Sequence, residues 1–224
     1  MRSLVVVALC VGVAAATPLP PGFKIWPSSI SPDGKLGVIV PDVDHVKDKE
    51  RQNKLVDIAT GKIIATLAAE TVFDHQNNTD ITPSWSKDST LLEWMAQGKW
   101  GSLVLVLVRL DHGAVKDQID VREAAVTAAL AAANKANPKA YAAAKKEGEG
   151  NGAWFRDGFA IDVHQDHEGP PSLPFKLVVE LTSNPKEIDS YPAAARLKGT
   201  MTGTLGVDGK LSFGPLIVAS GVTK

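Results

Sequence analysis

The densest run of side chains able to do chemistry is Asp162-Val163-His164-Gln165-Asp166-His167-Glu168. On a strand, Asp162, His164 and Asp166 point to one face, and Ile161 and Val163 to the other. Imidazole with carboxylates is a donor set for zinc or another divalent ion. Asp162, His164, Asp166 and His167 are therefore the candidate metal ligands. The order H-x-x-H-E differs from the zincin motif H-E-x-x-H, in which a helix turns both histidines to one side. Gly169-Pro170-Pro171 closes the run and places its second half in a hairpin loop. The expectation is a structural or solvated cluster, with metal-assisted hydrolysis at the His164 region as the alternative.

The remaining motifs are weaker. His45 beside Asp42 and Asp44 could take a metal, but residues 42–53 are so highly charged that they read as a solvated loop. Gly148, Gly150 and Gly152 do not read as a phosphate cradle. Such a loop follows a strand and opens a helix, and here the order is reversed, with no G-K-[ST]. They read as a flexible connection. The nucleophile pattern G-x-S-x-G is also absent. No catalytic residue and no cofactor is implied. Asn77-Asn78-Thr79 matches a glycosylation acceptor, relevant only in a eukaryotic secretory pathway.

Residues 1–16 read as a secretory signal peptide. Arg2 is the basic region, Leu4 to Val13 the apolar stretch, and Ala14-Ala15-Ala16 the cleavage site before Thr17. The apolar stretch is shorter than the roughly 20 residues that span a bilayer. The single cysteine, Cys10, lies inside it, preceded by Leu9 where a lipoprotein site wants a small residue. The mature chain is expected to carry no lipid and no thiol, which excludes disulfides, cysteine nucleophiles and cysteine-ligated zinc together. Removing sixteen of 224 residues leaves 208, enough for one good core or two small domains. The whole chain has 24 basic and 25 acidic residues; losing Arg2 takes the net charge to −2. No basic excess points to nucleic acid or an anionic membrane. The reading is a secreted or periplasmic protein with no transmembrane anchor after signal removal, whose partner is a protein or small ligand of unknown identity.

The elements that must position these residues are mostly strands. Proline recurs from Thr17 to Pro32, which favours an extended lead-in pinned by Phe23, Ile25 and Trp26. Leu36 to Val40 reads as a buried strand, and Leu103 to Leu110 as a central strand covered on both faces. Trp85, Trp94 and Trp100 could form a carbohydrate platform; packing between sheets is the favoured reading. Residues 120–147 are alanine-rich and helical. Asp120 is an N-cap with Glu123 three residues on, and Asn137-Pro138 opens a second helix that Gly148 closes as a C′ residue. Val126, Leu130 and Ala133 form a narrow apolar stripe expected to face a sheet. Beyond it, Ala153–Val163, Phe175–Thr182, Leu197–Val207 and Leu211–Ala219 are the expected strands of an antiparallel meander. Ser183-Asn184-Pro185-Lys186 marks a turn, and Asp208-Gly209 a two-residue hairpin.

A repeat underlies the first half. Ser31, Asp33 and Leu36 recur as Ser86, Asp88 and Leu91, offset by 55 residues, and Gly61 recurs as Gly113. The second copy has Lys87 for Pro32 and Ser89 for Gly34. The run S-P-D-G-K before a strand, followed by D-I-A-T-G-K at a strand end, resembles the TolB-like, WD-type β-propeller repeat of exported bacterial proteins. The resemblance covers residues 26–119. It implies a scaffold for binding and carries no catalytic residue with it. Two copies are visible, whereas a closed propeller needs about four or more blades.

The expected fold is mainly β (α+β): antiparallel β-meander units, two propeller-blade-like repeats, and an inserted alanine-rich helical hairpin. The expected division is 1–16 signal peptide, 17–119 β-rich repeat region, 120–148 helical hairpin and 149–224 C-terminal antiparallel β region, the last either separate or one domain with 17–119. The expected role is non-enzymatic, a binding or structural β-scaffold.

Overall fold

The computed structural model describes residues 19–42, 52–67, 79–98, 101–148, 155–183 and 193–219. The expected signal peptide with Cys10, the residues around His45, Asn77, Trp100, Gly150, Gly152 and the turn beyond Ser183 lie outside them.

Among the described residues the chain forms three antiparallel sheets, and none of them closes on itself. The first joins β1 (Phe23–Ile25), β2 (Leu36–Pro41), β3 (Lys54–Asp57) and β4 (Ile63–Thr66) in sequence order. The second joins β5 (Thr79–Trp85), β6 (Leu91–Gly98), β7 (Gly101–Asp111) and β8 (Ala114–Asp120) in the same way. Helices α1 (Val121–Ala136) and α2 (Pro138–Glu147) follow. The third sheet runs β12-β11-β10-β9, from β9 (Phe159–Gln165), β10 (Phe175–Ser183), β11 (Lys198–Leu205) and β12 (Leu211–Phe213), with β13 (Ile217–Val218) also on β11.

The second sheet is the middle layer, and β7 shows why. Its side chains alternate between two buried surfaces. Val104, Val106 and Val108 join Leu36, Val38, Leu55, Trp85 and Trp94 in a cluster with the first sheet. Leu105 and Leu107 join α1 and the inward residues of the third sheet, among them Val163, Leu177, Val179 and Met201. A strand apolar on both faces can sit only between two layers. Each of these side chains contributes roughly 1.5–3 kcal/mol when fully buried. Trp85 and Trp94 are thus core residues, and the Trp85 indole donates to the Ser29 carbonyl at 2.8 Å.

The serine-centred bonds of the turn recur in both copies. The Ser31 hydroxyl donates to Asp33 at 2.6 Å and accepts from the Leu36 amide at 3.0 Å. The Ser86 hydroxyl donates to Asp88 at 2.6 Å and accepts from the Leu91 amide at 2.9 Å. Ser89 takes the positive φ that Gly34 takes in the first copy. Short polar side chains bonding to nearby backbone amides stabilise such turns locally. The lead-in is extended at β1, which pairs with β2, and a 3₁₀ turn at Pro27–Ser29 interrupts it.

The helical hairpin follows its caps. Asp120 accepts from the Glu123 amide and Asn137 from the Ala140 amide, with Pro138 in the first turn. Val121, Ala125, Val126, Ala129 and Ala133 are buried, and Leu130 packs at the margin. Gly148 differs from expectation. It is the C-cap in a right-handed conformation, not a left-handed C′ residue. Glycine is required there for space: a Cβ would stand 2.2 Å from the Gly158 Cα. That contact also explains why the next strand starts at Phe159. The chain turns tightly through Asp157 and Gly158, both at positive φ, before it can extend.

Two further expectations change. The β11–β12 loop has three residues, not two. Gly206 pairs with Lys210, and Gly209 alone has positive φ, which gives a type I turn with a left-handed glycine. A two-residue loop needs positive φ at both positions, and His112-Gly113 supplies it between β7 and β8. The last expected strand is broken by Gly214-Pro215-Leu216 into β12 and β13, since proline cannot donate to a ladder.

Candidate functional site

The histidine run divides at the end of β9. Asp162 and His164 face outward on the strand while Ile161 and Val163 are buried, as the alternation requires. The Asp162 carboxylate is already held. One oxygen accepts from the Gln97 side chain and from the Ser102 amide, both at 2.9 Å. Its other oxygen lies 3.5 Å from His164 Nδ1. The Ser102 hydroxyl in turn accepts from the Val163 amide at 3.0 Å, so this polar group stitches β9 to β7. Asp166 and His167 lie past the strand end, where His167 Nε2 is 3.2 Å from the Gln165 side chain. Among the described residues, no three histidine, cysteine, aspartate or glutamate side chains converge as a metal site. The four candidate ligands are therefore not brought together; the strand end separates them.

A different site forms where the middle and third layers part. A cleft of about 830 Å³ is lined by the Ser86–Leu91 turn, by Arg109, Leu110 and Lys116, by the β9–β10 loop from His167 to Leu173, and by Val207. Its volume falls in the range of small-molecule sites. Arg109 braces the opening. Its guanidinium pairs with Asp117 on β8 and donates to the Val207 carbonyl at 2.9 Å, linking the middle sheet to the β11–β12 loop. Gly209 must be glycine beneath it, because a Cβ would lie 2.1 Å from the guanidinium.

Most polar groups of the cleft are engaged. The Ser86 hydroxyl holds the turn, and Asp88 accepts from Ser86 and from both the hydroxyl and amide of Thr90. The Ser86 hydroxyl, then that of Thr90, hold the Asp88 carboxyl below the usual carboxylate range. The Arg109 guanidinium does the same for Asp117. No hydrogen-bonded serine–histidine pair occurs among the described lining residues. Lys87 and Lys116 stand on the sheet wall, and Glu168 on the loop wall. Pro170, Leu173 and Val207 supply accessible apolar surface, over the buried Leu91, Leu110 and Pro171.

Comparison with family models, with curated proteins and with solved structures finds no match for this chain. The cleft draws on four segments spread over more than 120 positions, so no local pattern announces it. One signal was available. Lys87 replaces the proline of the first turn copy, and that departure from the repeat lies on the cleft wall.

Proposed function

We propose that this protein is an exported, non-enzymatic binding protein whose ligand occupies the cleft between the middle and third layers. The observation that carries the reading is the cleft itself: a concave site with an apolar lining and a few unengaged polar groups, built on a braced scaffold. Its serine and acid at the sheet wall serve the turn, which suits a wall better than a reacting group. The repeated turn bonds at Ser31 and Ser86 support kinship of the first two sheets with propeller blades, a scaffold class on which binding is the usual use. The pattern of residues 1–16 supports export to a periplasmic or extracellular space.

The test is to purify the chain from its native source and identify co-purifying small molecules by native mass spectrometry. Ser172→Trp, at an exposed lining position, serves as the blocked control. A ligand held by the wild type and missing from Ser172→Trp supports the reading. A ligand equally retained by the blocked chain, or chemically turned over on incubation, overturns it. Export is checked in the same sample by intact mass, with Thr17 expected as the first residue and a retained Met1 contradicting it.

A further inference from the structure

We infer that the cleft selects an organic anion: an apolar body whose negative head is taken by Lys87 and Lys116. The inference rests on the binding reading above and adds the chemistry of the ligand. It comes from sorting the charged groups of the cleft by what they already do. Arg109 is engaged by Asp117 and by the Val207 carbonyl, so its charge is largely neutralised and its geometry fixed. Asp88 is engaged by Ser86 and Thr90. Both act as parts of the wall. What remains on the sheet wall is the pair of ammonium groups. Lys87 projects from the turn, and Lys116 from β8, where it acts on Asp117, which Arg109 already pairs.

The opposite wall is different. The β9–β10 loop brings Glu168 and His167, the first an anion. An anionic head is therefore repelled from the loop and attracted to the sheet, which orients the ligand across the cleft. The apolar surface of Pro170, Leu173 and Val207 borders the cleft, over the buried Leu91, Leu110 and Pro171, and suits a ring or short chain. Exposed charges of this kind each add modest affinity, so selectivity comes from both lysines together with the apolar contact. The combination excludes two simpler ligands. A bare inorganic anion would leave the apolar surface unused, and an uncharged apolar molecule would leave both ammonium groups without a partner.

A matched pair of fluorescent probes tests this. 1-Anilinonaphthalene-8-sulfonate carries an apolar body and an anionic head; N-phenyl-1-naphthylamine has the same body without the charge. Each is titrated against wild type, the Lys87→Gln/Lys116→Gln double variant, Glu168→Gln and Ser172→Trp, all at low ionic strength. The expected result is that the double variant binds the sulfonate roughly two- to thirtyfold more weakly. Binding of the neutral probe should be unchanged, and Glu168→Gln should bind the sulfonate more tightly. Ser172→Trp should exclude both probes. If Ser172→Trp excludes both but the lysine and glutamate changes leave sulfonate binding unaltered, the anion inference fails and the binding reading survives. If neither probe binds wild type, or both persist through Ser172→Trp, the two readings fall together.

Discussion

Glu93 sits on β6 in the middle sheet, 4% exposed, with Leu107 as its ladder partner on β7. Burial alone pushes its carboxyl up to about 7, because a charge there loses its hydration without gaining a partner. The unfolded chain ionises this group near 4.5. A raised folded value means that the protonated form favours folding. That stability is fully present below about 4.5 and is lost as pH rises through about 7. The lowered carboxyls, Asp33, Asp57, Asp88, Asp117 and Asp157, change charge below this window and so do not mask it. Urea unfolding should therefore show wild type losing on the order of 2–3 kcal/mol between pH 5 and pH 8. Glu93→Gln should flatten the profile, and an equally flat wild-type profile would contradict the assignment. For the histidine run, the engaged Asp162 and the separated His167 lead to a second expectation. Added zinc, calcium or manganese should leave the melting temperature of the metal-free protein unchanged, as it should in His164→Ala. A stoichiometric stabilisation lost in the variant would restore the metal reading.

At the scale of elements, each of the first two antiparallel meanders depends on one serine. Ser86→Ala removes the acceptor of the buried Leu91 amide and one of the two acceptors of the Thr90 amide, and leaves Asp88 held by Thr90 alone. Leaving a buried amide unsatisfied costs about 1–3 kcal/mol. Ser31→Ala does the same to the Leu36 amide. The two variants should be destabilised by comparable amounts in chemical denaturation, because each leaves one buried strand amide without its acceptor. A neutral effect at either position would show that the repeated turn is not what fastens its sheet. The α2 end illustrates a different device. Tyr141 bonds to Asp157 and stacks on Phe159 at 5.5 Å, while Lys145 pairs with Asp157 at 2.9 Å. Desolvation, then Asp157, raises the Tyr141 hydroxyl to about 12. The helical hairpin is thereby fastened to the start of β9, the strand that leads into the cleft loop.

For the whole molecule, one apolar cluster joins the middle sheet, both helices and the third sheet, and a second joins the middle sheet to the first. The middle sheet belongs to both. Removing either outer layer would expose one of its faces to water, so the layers should unfold together. Far-ultraviolet circular dichroism follows the helices, which lie on one side. Tryptophan fluorescence weights Trp85 and Trp94, which lie in the other cluster. The two melting curves are expected to coincide. Separated transitions would mean that the first sheet is an independent unit. Among the described residues no helix is long and apolar enough to cross a membrane.

The sequence by itself determined the local features. The helix caps at Asp120 and Asn137, the paired turns at Ser31 and Ser86, the two-sided burial of Leu103–Leu110 and the outward alternation of Asp162 and His164 all follow from short-range chemistry. That chemistry is a side chain reaching a backbone amide two to five residues away, or the two-residue period of a strand. Where reading failed, a distant segment had intervened. Gly148 is glycine because Gly158 returns against it, and β9 starts late for the same reason. The cleft was invisible because its walls are separated along the chain and meet only when the third sheet packs across the middle one. Tertiary structure also decided which charges are free. Arg109 and Lys116 look alike in the sequence, but Asp117 and the Val207 carbonyl engage the first and leave the second facing the cleft.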